Sequence, residues 1–285
     1  MAALQILGTE TDISEEFLIA RVIDLHGSIS RLETLKPCKE VNGLFTNLVK
    51  LCILPCSIDV STLAPHLQAI RESLILLCGR AEGLLELEFS TMLGKIPKPL
   101  NNLTLFPYYD NYIKLAHLEY KILIDNGVVN PKKVAFVGSG PLPLTSIILA
   151  MQHMKNTYFD NYDVDSMANE VAGKIVASDG ELEGRMKFWT RDIVEVGEEL
   201  EGYDCVFLAA LVGLNKEDKV KILSHLRKYM KQGGVLVVRS ARGGRAFLYP
   251  VVEVADMVGF DILSIFHPSD DVVNSVLLAR KPILL

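Results

Sequence analysis

The stretch VAFVGSGPLPLT, Val134 to Thr145, decides how this chain is read. An apolar run of β type breaks into Gly138-Ser139-Gly140 and then into two prolines, Pro141 and Pro143. A strand followed by Gly-x-Gly lets the backbone approach a ligand closely and aims helix N–H groups at it. The pattern alone is weak, because a tight structural turn with no ligand explains it too. In a dinucleotide site a third glycine permits tight helix–strand packing around a pyrophosphate, and here Pro143 stands in that place. Prolines at a helix start fix φ and give up donors that are orphaned anyway. Such a turn is a rigid, close seat with few donors. It suits an adenosyl ligand without phosphates, S-adenosylmethionine, better than NAD.

Outward from the turn, short apolar strands alternate with amphipathic stretches. TYFDNYDVD, MKFWTRD, YDCVFLAA and GGVLVVRS follow VAFVG, and between them lie TSIILAMQHM, MANEVAGKIV and NKEDKVKILSHLRKYM. This alternation predicts a doubly wound parallel sheet. DILSIFH and VVNSVLLAR are joined only by PSDD, too short for a crossover helix, and so predict an antiparallel hairpin. Five parallel strands, a helix and that hairpin make the seven-stranded, mostly parallel, Rossmann-like sheet of class I S-adenosylmethionine-dependent enzymes. Asp163, 25 residues after Gly138, ends the second strand, near the roughly 20-residue spacing at which an acid meets ribose hydroxyls. Asp192 ends the third, where this class often has an acid beside adenine. Each could equally be a helix N-cap.

Before the sheet, residues 1–127 read as a helical domain, with the Rossmann-like domain at 128–285. Asp12-x-x-Glu15 predicts a capping box ahead of Phe17, Leu18, Val22, Leu25 and Ile29. A second helix is expected from Val41 to Cys52. A long third one is expected to start near Asp59, with an apolar stripe through Leu63, Leu67, Ile70, Leu74, Leu77, Ala81 and Leu84. Pro97, Pro99 and Asn101-Asn102 form a linker, and FPYYDNYIKLAHLEYKIL leads into another helix.

Composition narrows the function classes. With 49% hydrophobic and 22% charged residues among 285, the chain can fill substantial cores. A net charge of −6, with 29 Lys and Arg scattered among 35 acids, argues against nucleic acid or an anionic membrane as partner. No apolar run reaches the roughly 20 residues that span a bilayer, and the first residues lack the features of a signal peptide. Five cysteines without a Cys-x-x-Cys pair read as buried thiols in a reducing compartment, so a cytoplasmic location is expected. The six histidines lack ligand spacing, and no metal site is expected. A homo-oligomer is compatible with this sequence.

In LCGRAEGLLELEFS, Glu82 and Glu86 share one helix face, where like charges at that spacing cost roughly 0.2–0.5 kcal/mol. A solvated acidic edge explains them, but Gly83 costs up to about 1 kcal/mol relative to Ala mid-helix and points to a close approach there. Tyr108, Tyr109 and Tyr112 beside Phe106 are ordinary core material, yet they bring three hydroxyls that need partners.

AEGLLELEFS, FPYYDNY, KVAFVGSGPLPLTSI, YDVDSMAN, VFLAALVG, RSARGGRAFLYP and HPSDDVVNSVLLAR, in this order, resemble plant nicotianamine synthases over nearly the whole chain. The resemblance implies an enzyme that joins aminocarboxypropyl groups of three S-adenosylmethionine molecules, releases methylthioadenosine each time and closes an azetidine ring to give nicotianamine. S-adenosylmethionine is then substrate, with no further cofactor, and metal binds the product. Arg242 departs from the His expected in most plant members, and the segment between Phe89 and Phe106 is short.

An amine attacks the aminocarboxypropyl carbon only when deprotonated, so such a site needs a base. A desolvated Glu with a raised pKa supplies one, oriented by a Tyr. Glu82 with Tyr108 is the first candidate, and Glu86 with Tyr112 the second. Gly138, Ser139, Gly140, Pro141, Asp163, Asp192, Ala209 and Ala210 are the expected S-adenosylmethionine contacts. Arg239 and Arg245 are suited to clamp substrate carboxylates. Tyr109 and Asn274 are expected near them, with Ser275, Asp270 and Asp271 at the rim. The competing readings are a small-molecule methyltransferase on the same fold, which would release S-adenosylhomocysteine, a catalytically silent S-adenosylmethionine-binding protein, and, more distantly, an NAD oxidoreductase.

Overall fold

The computed structural model describes residues 12–283. Among the described residues four α-helices precede the sheet: α1 (Glu15–Ile29), α2 (Lys39–Cys52), α3 (Pro65–Leu93) and α4 (Tyr109–Asp125). The N-cap of α1 is Ser14, whose Oγ accepts from Phe17 N at 3.2 Å, so the capping box expected of Asp12 and Glu15 does not form. Likewise α3 starts six residues later than Asp59, because Asp59 caps a separate 3₁₀ turn at Val60–Thr62 and Pro65 takes the first helical turn. Leu18, Val22, Leu25 and Ile29 of α1 pack with Leu48, Cys52, Leu74 and Cys78, and with Phe247 and Leu248 from beyond the fifth strand.

The strands are β1 (Lys133–Val137), β2 (Tyr158–Asp163), β3 (Met186–Thr190), β4 (Cys205–Leu208), β5 (Val235–Ser240), β6 (Asp261–Phe266) and β7 (Ser275–Arg280). Their order is β3-β2-β1-β4-β5-β7-β6, and β7 runs antiparallel to both neighbours. The crossovers carry α5 (Leu144–Ile148), which continues as a π-helical turn at Leu149–His153, then α6 (Ser166–Val176), α7 (Gly180–Arg185) and α8 (Lys216–Tyr229). Residues alternate along each strand, so Val134 and Phe136 face one core, with Leu93, Phe106, Leu115 and Leu123, while Ala135 and Val137 face the other, with Leu223 and Leu226 of α8.

The helix expected between β5 and β6 is absent, and two 3₁₀ turns, Gly243–Phe247 and Val254–Asp256, replace it. The cause is a close approach of backbones. A Cβ on Gly243 would lie 2.8 Å from Cys56 O, and one on Gly244 would lie 2.8 Å from Cys52 O. This segment therefore docks flat on the end of α2, which brings Tyr249 toward α3. Among the described residues, no helix is long and apolar enough to cross a membrane.

Candidate active site

The glycine turn leaves β1 with Gly138 at φ +79° and Gly140 at φ +65°, conformations that favour glycine. Gly138 N donates to Tyr162 O at 2.8 Å, and Gly140 N donates to Asp163 Oδ2 at 2.8 Å. Asp163 Oδ1 accepts from Asp165 N at 3.0 Å, so this acid orders the turn and the loop after β2 together. Pro141 O accepts from Ser90 Oγ of α3 at 2.7 Å, and α5 begins directly after Pro143. Ser139 is buried, and its Oγ finds no partner among the described residues, so the turn keeps a donor–acceptor group free for a ligand. Asp192 caps the 3₁₀ turn at Ile193–Glu195 through Val194 N. Ala209 lies against Gly138, 3.2 Å from where its Cβ would be, and Ala210 follows it.

Against this turn stands a cluster of carboxylates and phenols. Glu86 Oε2 lies 2.8 Å from where a Gly140 Cβ would be. Tyr112 Oη is 2.9 Å from Glu86 Oε1 and 3.3 Å from Glu82 Oε1, and Tyr249 Oη donates to Glu82 Oε2 at 2.8 Å. Glu86 is buried; Glu82, Tyr112 and Tyr249 are half-buried. Burial raises the carboxyl pKa of Glu82, against the hydrogen bonds of Tyr249 and Tyr112 and the charge of Arg239. Burial, then the charge of Glu82, pushes Glu86 well above the usual carboxylate range. The phenols of Tyr112 and Tyr249 are likewise pushed well up by burial, then by the glutamates.

A single proton on either glutamate satisfies every bond in this cluster, and the stronger raising of Glu86 favours that site. A phenol has one O–H, so Tyr112 donates to only one carboxylate. With the proton on Glu86, its carboxyl O–H donates to Tyr112 Oη, Tyr112 donates to Glu82, and Tyr249 donates to the other Glu82 oxygen. Glu86 is then neutral and Glu82 is an anion receiving two phenol hydrogen bonds. Like charges this close do not both ionise, and the more strongly raised group keeps the proton.

Sequence-based pairing differs from this in three ways. Tyr108 does not meet Glu82: its hydroxyl bonds Thr46 of α2, while Tyr249, which lies in RSARGGRAFLYP far along the chain, takes that place. Gly83 faces open space, and the close approach falls instead at Gly140, while Gly79 makes an ordinary contact with Leu211. Arg239 donates to Glu119 Oε1 at 2.7 Å and Oε2 at 2.9 Å and to Thr145 Oγ1 at 2.6 Å, so its fork is taken up by α4 and α5. Arg245 donates to the carbonyls of Val272 at 3.2 Å and Asp270 at 2.5 Å and holds the loop before β7. That loop is also tied to α4 by Asn111 Nδ2 on Asp271 O at 2.6 Å and by the Lys114–Asp271 ion pair. It ends in Asn274, buried, with Nδ2 lacking a partner among the described residues. Tyr109 starts α4 half-buried against the sheet core. Ser275 Oγ bonds His267 Nδ1 at 2.9 Å. Among the described residues, no group of three or more His, Cys, Asp or Glu could hold a metal.

The strand order, the single antiparallel strand and the glycine turn tied to an acid at the end of β2 define the class I S-adenosylmethionine-dependent fold. The structure superposes on a point mutant of MtNAS in complex with S-adenosylmethionine with a TM-score of 0.76 at 21% identity, covering 93% of this chain and 98% of that one. For MtNAS in complex with MTA and tNA the TM-score is 0.74 at 21% identity, covering 92% and 96%. The family described as nicotianamine synthase protein matches residues 10–285. The nicotianamine synthase of Solanum lycopersicum is 55% identical over 264 residues, 93% of this chain and 83% of that protein. Nicotianamine synthase 3 of Arabidopsis thaliana is 53% identical over 271 residues, 94% and 84% of the two chains. The chain belongs to the nicotianamine synthase family.

Proposed function

We propose that this protein is a nicotianamine synthase that condenses three S-adenosylmethionine molecules by aminocarboxypropyl transfer and releases methylthioadenosine. The observation that carries the reading is the Glu82–Tyr112–Glu86 cluster packed on Gly140, where an ionisable base abuts the turn that seats the donor. Ser139 Oγ is available to the bound molecule at that turn, and Asn274 Nδ2 is a second buried donor without a partner among the described residues.

In each transfer Glu82 accepts a proton from the acceptor's ammonium. The freed nitrogen lone pair forms a bond to the aminocarboxypropyl carbon, the carbon–sulfur bond breaks, and its electrons leave on sulfur as the neutral thioether of methylthioadenosine. Ring closure is the same step within one molecule. Burial raises the Glu82 pKa and so makes it a stronger base than a solvated carboxylate, while Tyr112 and Tyr249 keep it aimed. Neutral Glu86 holds Tyr112 in the donating orientation without adding a second negative charge.

The test is incubation with S-adenosylmethionine alone, followed by mass analysis. Methylthioadenosine and a condensed product are expected. Unconsumed S-adenosylmethionine, or S-adenosylhomocysteine as the only by-product when small amines are added, would contradict the reading.

A further inference from the structure

The loop that leaves β4 touches three separate parts of the molecule. A Cβ on Gly138 would strike Val212 Cγ2 at 2.2 Å, so Val212 lies directly on the glycine turn. Leu211 Cδ2 sits 3.5 Å from where a Gly79 Cβ would be, on α3, three residues before Glu82. Gly213, at φ +75°, folds the chain back so tightly that its Cβ would come within 2.9 Å of Lys219 N on α8.

Lys219 is 2% exposed. Its Nζ donates to Ala210 O at 2.9 Å and to Ala209 O at 3.5 Å, and burial lowers its ammonium to about 7. Lysine is almost never buried so fully, and an apolar side chain of similar length would fill the same space without the desolvation cost. What the amine adds is a fixed position for two carbonyls at the start of the loop.

We infer that Lys219 is a positioning residue for the donor site. It anchors the loop Ala209–Gly213 so that Val212 walls the glycine turn and Leu211 sets the approach of α3, and with it Glu82. Lys219 touches no reacting atom in this account and acts through Val212 and Leu211. The inference rests on the reading of the glycine turn as the seat of S-adenosylmethionine.

The experiment compares full-length Lys219→Met and Lys219→Arg with the unaltered protein by calorimetric titration with S-adenosylmethionine, steady-state methylthioadenosine release and melting temperature. Lys219→Met raises Kd and KM about tenfold, the loss expected for one buried hydrogen bond, while kcat falls by less. Lys219→Arg, which keeps a cation aimed at the carbonyls, recovers affinity to within about threefold of the unaltered protein. A lowered melting temperature with unchanged Kd and KM would make Lys219 an anchor of the fold alone and overturn the inference. Should Lys219→Met not fold, Leu211→Ala leaves the anchor intact and removes the contact with α3. The expected result is a fall in kcat of about threefold or more with little change in KM, the signature of a misplaced base, and an unchanged kcat would overturn it. Failure of the unaltered protein to bind S-adenosylmethionine would instead remove the donor seat on which the inference stands.

Discussion

Two groups of carboxylates, on α3 and on α4, are satisfied in opposite ways. Glu119 on α4 is fully buried and meets Arg239 of β5 in a two-pronged ion pair at 2.7 and 2.9 Å, with Thr145 on the same guanidinium. Glu82 and Glu86 on α3 have no such partner among the described residues and are bonded by the phenols of Tyr112 and Tyr249. Arg239 lowers the pKa of both from a distance, but burial outweighs it. A carboxylate with a guanidinium locked on it has both oxygens taken up. One held by phenols keeps its proton affinity. The pair proposed as catalytic is thus set apart by the absence, among the described residues, of a cation bonded to it.

The comparison breaks first at Glu82. Glu82→Gln keeps the shape and the hydrogen bonds but cannot take a proton, so methylthioadenosine release falls by about 10² to 10⁴ while S-adenosylmethionine still binds. Single-turnover kinetics and calorimetry on one preparation check both halves. Glu119→Gln acts on the other half of the comparison. It leaves Arg239 buried beside a neutral amide and costs roughly 3–5 kcal/mol of stability, read by denaturant unfolding. If it abolished turnover in a protein of normal stability, the division between structural and catalytic carboxylates would be wrong.

The smallest effect concerns Glu86, and its sign follows from linkage. A carboxyl whose pKa is raised by folding contributes fully below its unfolded value of about 4.3, and that contribution is lost as pH rises through the folded value. Glu86→Gln has no such dependence. It therefore melts higher than the unaltered protein at pH 7 by a few degrees, about 1 kcal/mol being worth roughly 2–4 °C in a chain of this size, and the gain shrinks toward pH 5. Methylthioadenosine release falls by less than about tenfold, since an amide N–H can hold Tyr112 as the carboxyl does.

Much of the sheet was legible because each strand is a short apolar run set off by polar residues, so β1 to β7 fall where VAFVG, TYFDNYDVD and the later runs put them. The helix expected before β6 was misread because the sequence does not show that Gly243 and Gly244 lie on the backbone of Cys56 and Cys52. In the site, Glu82, Glu86 and Tyr112 could be singled out because a like-charged pair and a cluster of phenols are locally costly. Tyr249 and Lys219 could not. Tyr249 meets Glu82 across 167 residues of chain, and a lone Tyr in AFLYP carries no periodic signal. Lys219, in NKEDKVKILSHLRKYM, reads as one more charge on a polar helix face, and only the fold buries it. Glu119 in LEYK gives no hint that Arg239 waits 120 residues on.

On the proposed mechanism the α3 pair holds one proton at neutral pH, while Glu119 is held in an ion pair with Arg239. Infrared difference spectroscopy of the unaltered protein against Glu86→Gln and Glu119→Gln, titrated from pH 5 to pH 8, reads this directly. The account predicts a protonated-carboxyl carbonyl band at pH 7 that disappears in Glu86→Gln and persists in Glu119→Gln. No protonated-carboxyl band at pH 7, or a band that disappears in Glu119→Gln and persists in Glu86→Gln, would contradict it.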